Sequence, residues 1–192
     1  MPKKLCFIGA AGSGKSTLAG KVFVELKERQ FNVEYVPEMI RYDIQQNGAV
    51  TDIWEQYRTR TNQALFEDSI PSQVEYVVID SGTLTPFFYC NLLYDQNVSR
   101  HRLVLKDMFG FLIDDLMMRR YDHIFYLPTV QTYDINKHIL DDGTRTQSDQ
   151  DIEILATHME LVFTKLYKLD NIHFVDCPLD QRAHHVLDIV LR

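Results

Sequence analysis

The chain has 192 residues, 45% hydrophobic and 24% charged, with eight Gly and six Pro. That length suits one domain able to bury about 70% of its unfolded surface, and the composition excludes a linker-rich or disordered chain. A formal charge of −7 opposes broad nucleic-acid binding, which relies on Lys and Arg at phosphates. A nucleic acid is therefore expected only as a locally held substrate. No apolar run approaches the roughly 18 residues of a membrane span.

In chain order, residues 5–8 read as a first buried strand. Residues 14–29 read as a helix with Leu18, Val22 and Leu26 at four-residue steps. A second strand over 33–36 is stopped by Pro37. A helix over 50–70 is expected to turn Trp54, Tyr57, Leu65 and Phe66 inward. Residues 76–79 form the most strand-like run, followed by helical pattern over 85–94 and 100–120. In the latter, Met108, Phe109, Phe111, Met117 and Met118 read as core or pocket wall. A fourth strand spans 123–127, a helix 149–169, a fifth strand 172–175 and a closing helix 181–191. Residues 129–147 hold no sustained periodicity. Five short apolar strands separated by helices predict a parallel sheet covered on both faces, an α/β fold. The reading is one domain over residues 1–192 with a lid around 129–150.

Between the first strand and the first helix lies Gly9-Ala10-Ala11-Gly12-Ser13-Gly14-Lys15-Ser16, with Thr17 following. It fits G-x-x-x-x-G-K-[ST] at every fixed position, in the required strand–loop–helix setting. Four residues between the outer glycines let the chain wrap one phosphate. Small side chains let backbone N–H groups point inward at the positive end of a helix. Lys15 supplies a charge for the β- and γ-phosphates, and the Ser16 hydroxyl a ligand for Mg2+. The bland alternative is a glycine-rich turn that binds nothing.

Val77-Val78-Ile79-Asp80 is an apolar strand ending in a carboxylate, placed to act on the metal side of a nucleotide site. Its bland alternative is a helix cap. Ser81 follows where ATPases of the motor type carry a water-activating Glu, which favours phosphoryl transfer to an acceptor other than water. The run Asp80-Ser81-Gly82-Thr83 and the run Asn136-Lys137-His138-Ile139 both miss the GTPase patterns.

Ligands of open parallel sheets sit beyond the carboxyl ends of the strands. Glu38 and Arg41 fall there after the second strand, Glu38 to handle an acceptor hydroxyl and Arg41 to contact substrate or phosphate. A plain surface ion pair at three-residue spacing is the alternative. In the expected lid, Arg145 would neutralise charge on the transferred group and Asp142 would bind a ribose hydroxyl or orient Arg145; an ordinary Asp-Gly turn is the alternative. Cys6, Cys90 and Cys177 have no metal spacing and read as reduced thiols of a cytosolic protein.

Three segments carry a resemblance to a known family: the loop 9–17, Pro37-Glu38-Met39-Ile40-Arg41, and Asp142-Gly143-Thr144-Arg145. Together they resemble the NadR-type nicotinamide riboside kinases, AAA-like P-loop domains. The resemblance implies a three-layer α/β/α P-loop NTPase fold with strand order 2-3-1-4-5. It also implies ATP and Mg2+ as co-substrates, and a nucleoside, nucleotide or nucleotide within nucleic acid as acceptor. Ser81-Gly82 departs from the Arg that follows the third-strand acid in many nucleoside kinases. Two other readings stand beside the kinase: a nucleotide-binding regulatory module and a P-loop ATPase.

Overall fold

The structure, a computed structural model, describes every residue except 49, 51, 129–146 and 167. Five strands, β1 (Lys3–Ile8), β2 (Val33–Val36), β3 (Tyr76–Asp80), β4 (His123–Tyr126) and β5 (Ile172–Phe174), form one sheet in the order β2-β3-β1-β4-β5. Each neighbouring pair is parallel. Among the described residues the helices are α1 (Lys15–Glu28), α2 (Met39–Asn47), α3 (Ile53–Asp68), α4 (Thr85–Leu92), α5 (Ser99–Met117), α6 (Asp149–Leu166) and α7 (Arg182–Val190).

Alternating side chains divide the core between the two faces of the sheet. Leu5 and Phe7 of β1, Val78 of β3 and Phe125 of β4 pack against Leu18, Val22 and Leu26 of α1 and Val186 and Val190 of α7. Cys6 and Ile8, Val77 and Ile79, and Ile124 and Tyr126 face the other way. They meet Phe88 of α4, Leu112 and Leu116 of α5, and Leu155, Met159 and Phe163 of α6. The central strands are buried on both sides, which is why they read as continuous apolar runs.

The helix expected over 50–70 begins at Ile53, behind an Asp52 cap. The Asp52 side chain accepts from the Trp54 amide while Glu55 accepts from the Asp52 amide. Its facing differs from the expectation. Trp54, Leu65 and Phe66 are exposed, at 47%, 66% and 40%, and the buried side carries Ile53, Gln56, Thr59, Gln63 and Glu67. The reason is a polar network beneath α3. Tyr121 Oη accepts from the Thr83 amide at 2.7 Å and lies 3.1 Å from both Glu67 oxygens. Arg120 Nε donates to Glu67 at 3.1 Å, and Gln63 Nε2 donates to it at 3.1 Å. Thr83 Oγ1 donates to Asp115, which also receives Arg60 at 3.0 Å. Along α5 and its C-terminal cap the expectation holds for Met108 and Phe111, which pack in the cluster with Ile53 and Val104, and not for Phe109, Met117 and Met118, which are 52%, 68% and 83% exposed.

Helix α2, directly after Pro37-Glu38, buries no residue fully; its half-buried side, Met39, Ile40, Asp43 and Ile44, repeats for one turn, too briefly to read as a helix.

Candidate active site

The loop between β1 and α1 is built by close approach. A Cβ on Gly9 would stand 2.6 Å from Ser13 Oγ and 2.7 Å from the Leu127 carbonyl oxygen, so only glycine fits beside the end of β4. Gly12 and Gly14 take φ of 81° and 86°, left-handed conformations that glycine enters without strain. The chain curls so that the Ser13 amide donates to the Ala10 carbonyl at 3.2 Å. Helix α1 then starts at Lys15 with Gly14 as its cap and no side chain capping it, leaving its first-turn amides for a ligand.

Lys15 is 8% exposed. Burial pulls its ammonium pKa down, but the Glu38 and Asp80 carboxylates more than offset this and hold it above the ordinary lysine value. The site therefore keeps Lys15 charged in a nearly dry setting, the state needed to meet a phosphate.

Asp80 ends β3, paired in register with Phe7 of β1, two residues before Gly9. It is 3% exposed. Burial raises its carboxyl pKa and Glu38 adds to the rise, against the pull of Lys15 and Ser16. Tyr35 of β2 donates to Asp80 Oδ2 at 3.5 Å; burial and Asp80 together push the Tyr35 phenol up. Asp80 Oδ1 is buried without a partner. Asp80 does not cap the next helix: α4 is capped at Leu84 with no side-chain bond.

The backbone turns sharply after Asp80. Ser81 and Gly82 both take left-handed φ, 73° and 57°. The Ser81 amide donates to Phe7 O at 2.9 Å and the Thr85 hydroxyl to Ser81 O at 2.5 Å. A serine held in this conformation is a strained residue fixed by its surroundings. The strain aims its hydroxyl at Glu38: Ser81 Oγ donates to Glu38 Oε1 at 2.9 Å. The other Glu38 oxygen lies 3.8 Å from Arg41 Nε, so the surface ion pair weighed from sequence is present, joined to a contact that runs toward the sheet.

Lys15, Ser16, Glu38, Arg41 and Asp80 thus converge at the carboxyl ends of β1, β2 and β3, with the loop from Gly9 to Thr17. Asp142, Arg145 and the lid lie outside the described residues. Sequence reasoning missed Arg182. This 4%-exposed side chain donates from Nη1 to Ser13 O at 3.1 Å and from Nε to Cys177 O at 3.2 Å, tying the start of α7 to the loop between β1 and α1. No motif marks it, since 169 residues separate it from Ser13.

The residues fit magnesium. The orphaned, buried Asp80 Oδ1 beside Ser16 is the sparse oxygen set that Mg2+ takes when phosphates and water complete its shell. Among the described residues no cluster of three or more His, Cys, Asp or Glu gathers for a metal held by protein alone.

A family model described as an AAA domain matches residues 4–183. The chain belongs to the AAA domain family. This AAA domain also matches solved structures. NadR in complex with NR superposes with a TM-score of 0.71 at 17% identity over 98% of the chain. A second NadR structure, with NAD and AMP-PNP, gives 0.70 at 14% identity. The AAA domain spans about half the length of those NadR chains, 50% and 48%. It covers 98% of deoxyadenosine kinase from M. mycoides, with a TM-score of 0.66 at 15% identity, and 98% of thymidylate kinase from Ehrlichia chaffeensis, at 0.63 and 14%. These likenesses show the P-loop kinase-type fold that the resemblance implied, and the observed sheet order β2-β3-β1-β4-β5 is the order it implied. No curated protein sequence matches it. No helix among the described residues is long and apolar enough to cross a membrane.

Proposed function

We propose that the protein is an ATP-dependent kinase that transfers the γ-phosphoryl group to a hydroxyl or phosphate of a nucleoside-like acceptor. The observation that carries this reading is the Ser81–Glu38 contact at 2.9 Å. It holds a second carboxylate beside Lys15, close enough to raise the lysine pKa, and we read that carboxylate as facing the acceptor. A regulatory nucleotide-binding module needs the loop alone; it does not need a second carboxylate held over it by a strained serine.

In this reading the amides of Gly12 to Ser16 and the Lys15 ammonium bind the triphosphate, and Lys15 faces charge that grows on the transferred group. Mg2+, when bound, neutralises phosphate charge, with Ser16 and Asp80 as its protein ligands. Glu38 accepts the proton of the attacking hydroxyl or orients it, while Ser81 and Arg41 fix the direction of its carboxylate. Arg41, being half exposed, is positioned to meet the acceptor. Asp142 and Arg145 are proposed to close over the site, Arg145 on the phosphoryl group. Positioning and electrostatics supply most of the rate, as phosphoryl transfer requires little covalent chemistry from the protein. The acidic chain favours a free small molecule over a polynucleotide as acceptor, and three unpaired thiols suit a cytosolic setting. The fold likeness to NadR and deoxyadenosine kinase supports a nucleoside, nicotinamide riboside among them, as the first acceptors to try.

The test is steady-state ADP formation with Mg–ATP and a panel of nucleosides and nucleoside monophosphates. Glu38→Gln is expected to lower kcat about 10²–10⁴-fold with little change in ATP binding. An unchanged kcat removes Glu38 from the chemistry. Absence of any acceptor that raises turnover favours the regulatory reading.

A further inference from the structure

Helix α5 turns Val104, Met108, Leu112, Asp115 and Leu116 inward. Its opposite side carries Leu103, Phe109, Ile113 and Met117, each between 37% and 68% exposed. Positions 103, 106, 110, 113 and 117 repeat at alternating steps of three and four, which places them on one stripe. Gly110 stands at the middle of that stripe, where an added Cβ would meet nothing within 4 Å. Glycine is a poor helix former, and packing inside the chain gives no reason for one here.

Two pairs of exposed residues stand at equal distances from Gly110, one apolar and one of opposite charges. Leu103 and Met117 lie seven residues before and after it; Lys106 and Asp114 lie four before and after. Lys106 and Asp114 are exposed, and neither side chain has an ion-pair or hydrogen-bond partner among the described residues. Two such helices crossing antiparallel at their glycines would set Lys106 against Asp114 of the second copy and Leu103 against its Met117. Two-fold symmetry makes each contact twice. A glycine at the crossing lets the two backbones approach closely.

We propose that this face of α5 is the self-complementary interface of a homodimer, with two copies of the chain crossing antiparallel at Gly110. A standard interface buries about 800 Å² on each partner, more than one helix stripe supplies. The exposed Leu65 and Phe66 of α3 lie at the same end as Met117, since Arg120 bonds the Ala64 carbonyl at 3.2 Å.

Sedimentation velocity of the full chain across a wide concentration range tests the interface. The expected mass is twice the 22.5 kDa of one chain. Gly110→Arg fills the crossing point and gives monomer with an unchanged circular dichroism spectrum. Lys106→Asp and Asp114→Lys each create two like-charge contacts and weaken association about tenfold or more in Kd; the double exchange restores it. A parent chain that stays monomeric up to about 100 µM, whether or not another protein or a vesicle binds α5, overturns the proposal. So does a dimer indifferent to Gly110→Arg, or a double exchange no better than the single ones.

Discussion

Replacing Tyr121 by Phe removes one oxygen from the network that fixes the turn after Asp80. The ring keeps its place in the core, so little cavity opens. What changes is hydrogen bonding. The Thr83 amide loses its acceptor at 2.7 Å, and buried Glu67 loses the phenol while keeping Gln63 and Arg120. An orphaned buried N–H costs about 1–3 kcal/mol and a lost bond to a charged group adds about 1–2, giving about 3 kcal/mol in all. In a chain of this length each kcal/mol moves Tm by about 2–4 °C, so a fall of about 6–12 °C is expected. Calorimetry on parent and Tyr121→Phe measures it, with urea unfolding as the check on ΔG. A Tm within about 2 °C of the parent would show that these buried bonds add nothing net to stability.

Three further outcomes follow from single contacts. Gly82→Ala places a Cβ 2.7 Å from Cys6 Sγ and 2.8 Å from Tyr121 Oη at a φ of +57°, and its urea midpoint should fall by the equivalent of about 2–4 kcal/mol; an unchanged midpoint contradicts the close packing. Arg182→Met keeps bulk but abandons the Ser13 and Cys177 carbonyls, so stability should drop by about 2 kcal/mol and calorimetric titration should show weaker ATP binding; full ATP affinity would separate Arg182 from the loop. His173 has its pKa pushed down to about 4 by burial first and then by His123 and His185. The unfolded chain takes up that proton near 6.5, so the His173 contribution is complete above pH 6.5 and is lost as pH falls toward about 4. His173→Phe should flatten the stability curve across that window, and a curve of unchanged slope would contradict it.

The parts of the molecule legible in the sequence are those governed by local rules. The turn from Gly9 to Ser16 is readable because it demands glycine at fixed places: Gly9 leaves no room for a Cβ, and Gly12 and Gly14 take left-handed φ. The strands are readable because burial on both faces leaves only apolar residues in Val77-Val78-Ile79. Asp80 is readable because it ends such a strand. The facing of α3 was not readable: Gln63 and Glu67 are polar by composition and buried only because Arg120, Tyr121 and Gln63 satisfy Glu67, a fact set by distant residues. Helix α2 is nine residues long and half-buries Met39, Ile40 and Ile44, a pattern of one turn that is too short to read. Ser81 was visible only as a departure from a pattern. Its use, bending left-handed to reach Glu38, depends on Thr85 and Phe7 holding the turn.

Lys15, Asp80 and Glu38 are proposed to act together to pass a phosphoryl group to an acceptor hydroxyl or phosphate. The most direct measurement is transfer of a labelled γ-phosphate from Mg–ATP, with the label followed by mass spectrometry into nucleosides and nucleoside monophosphates. The account predicts label in one acceptor in equal amount to ADP, lost in both Lys15→Met and Glu38→Gln. Label recovered only as inorganic phosphate, or transfer that survives Glu38→Gln undiminished, would contradict it.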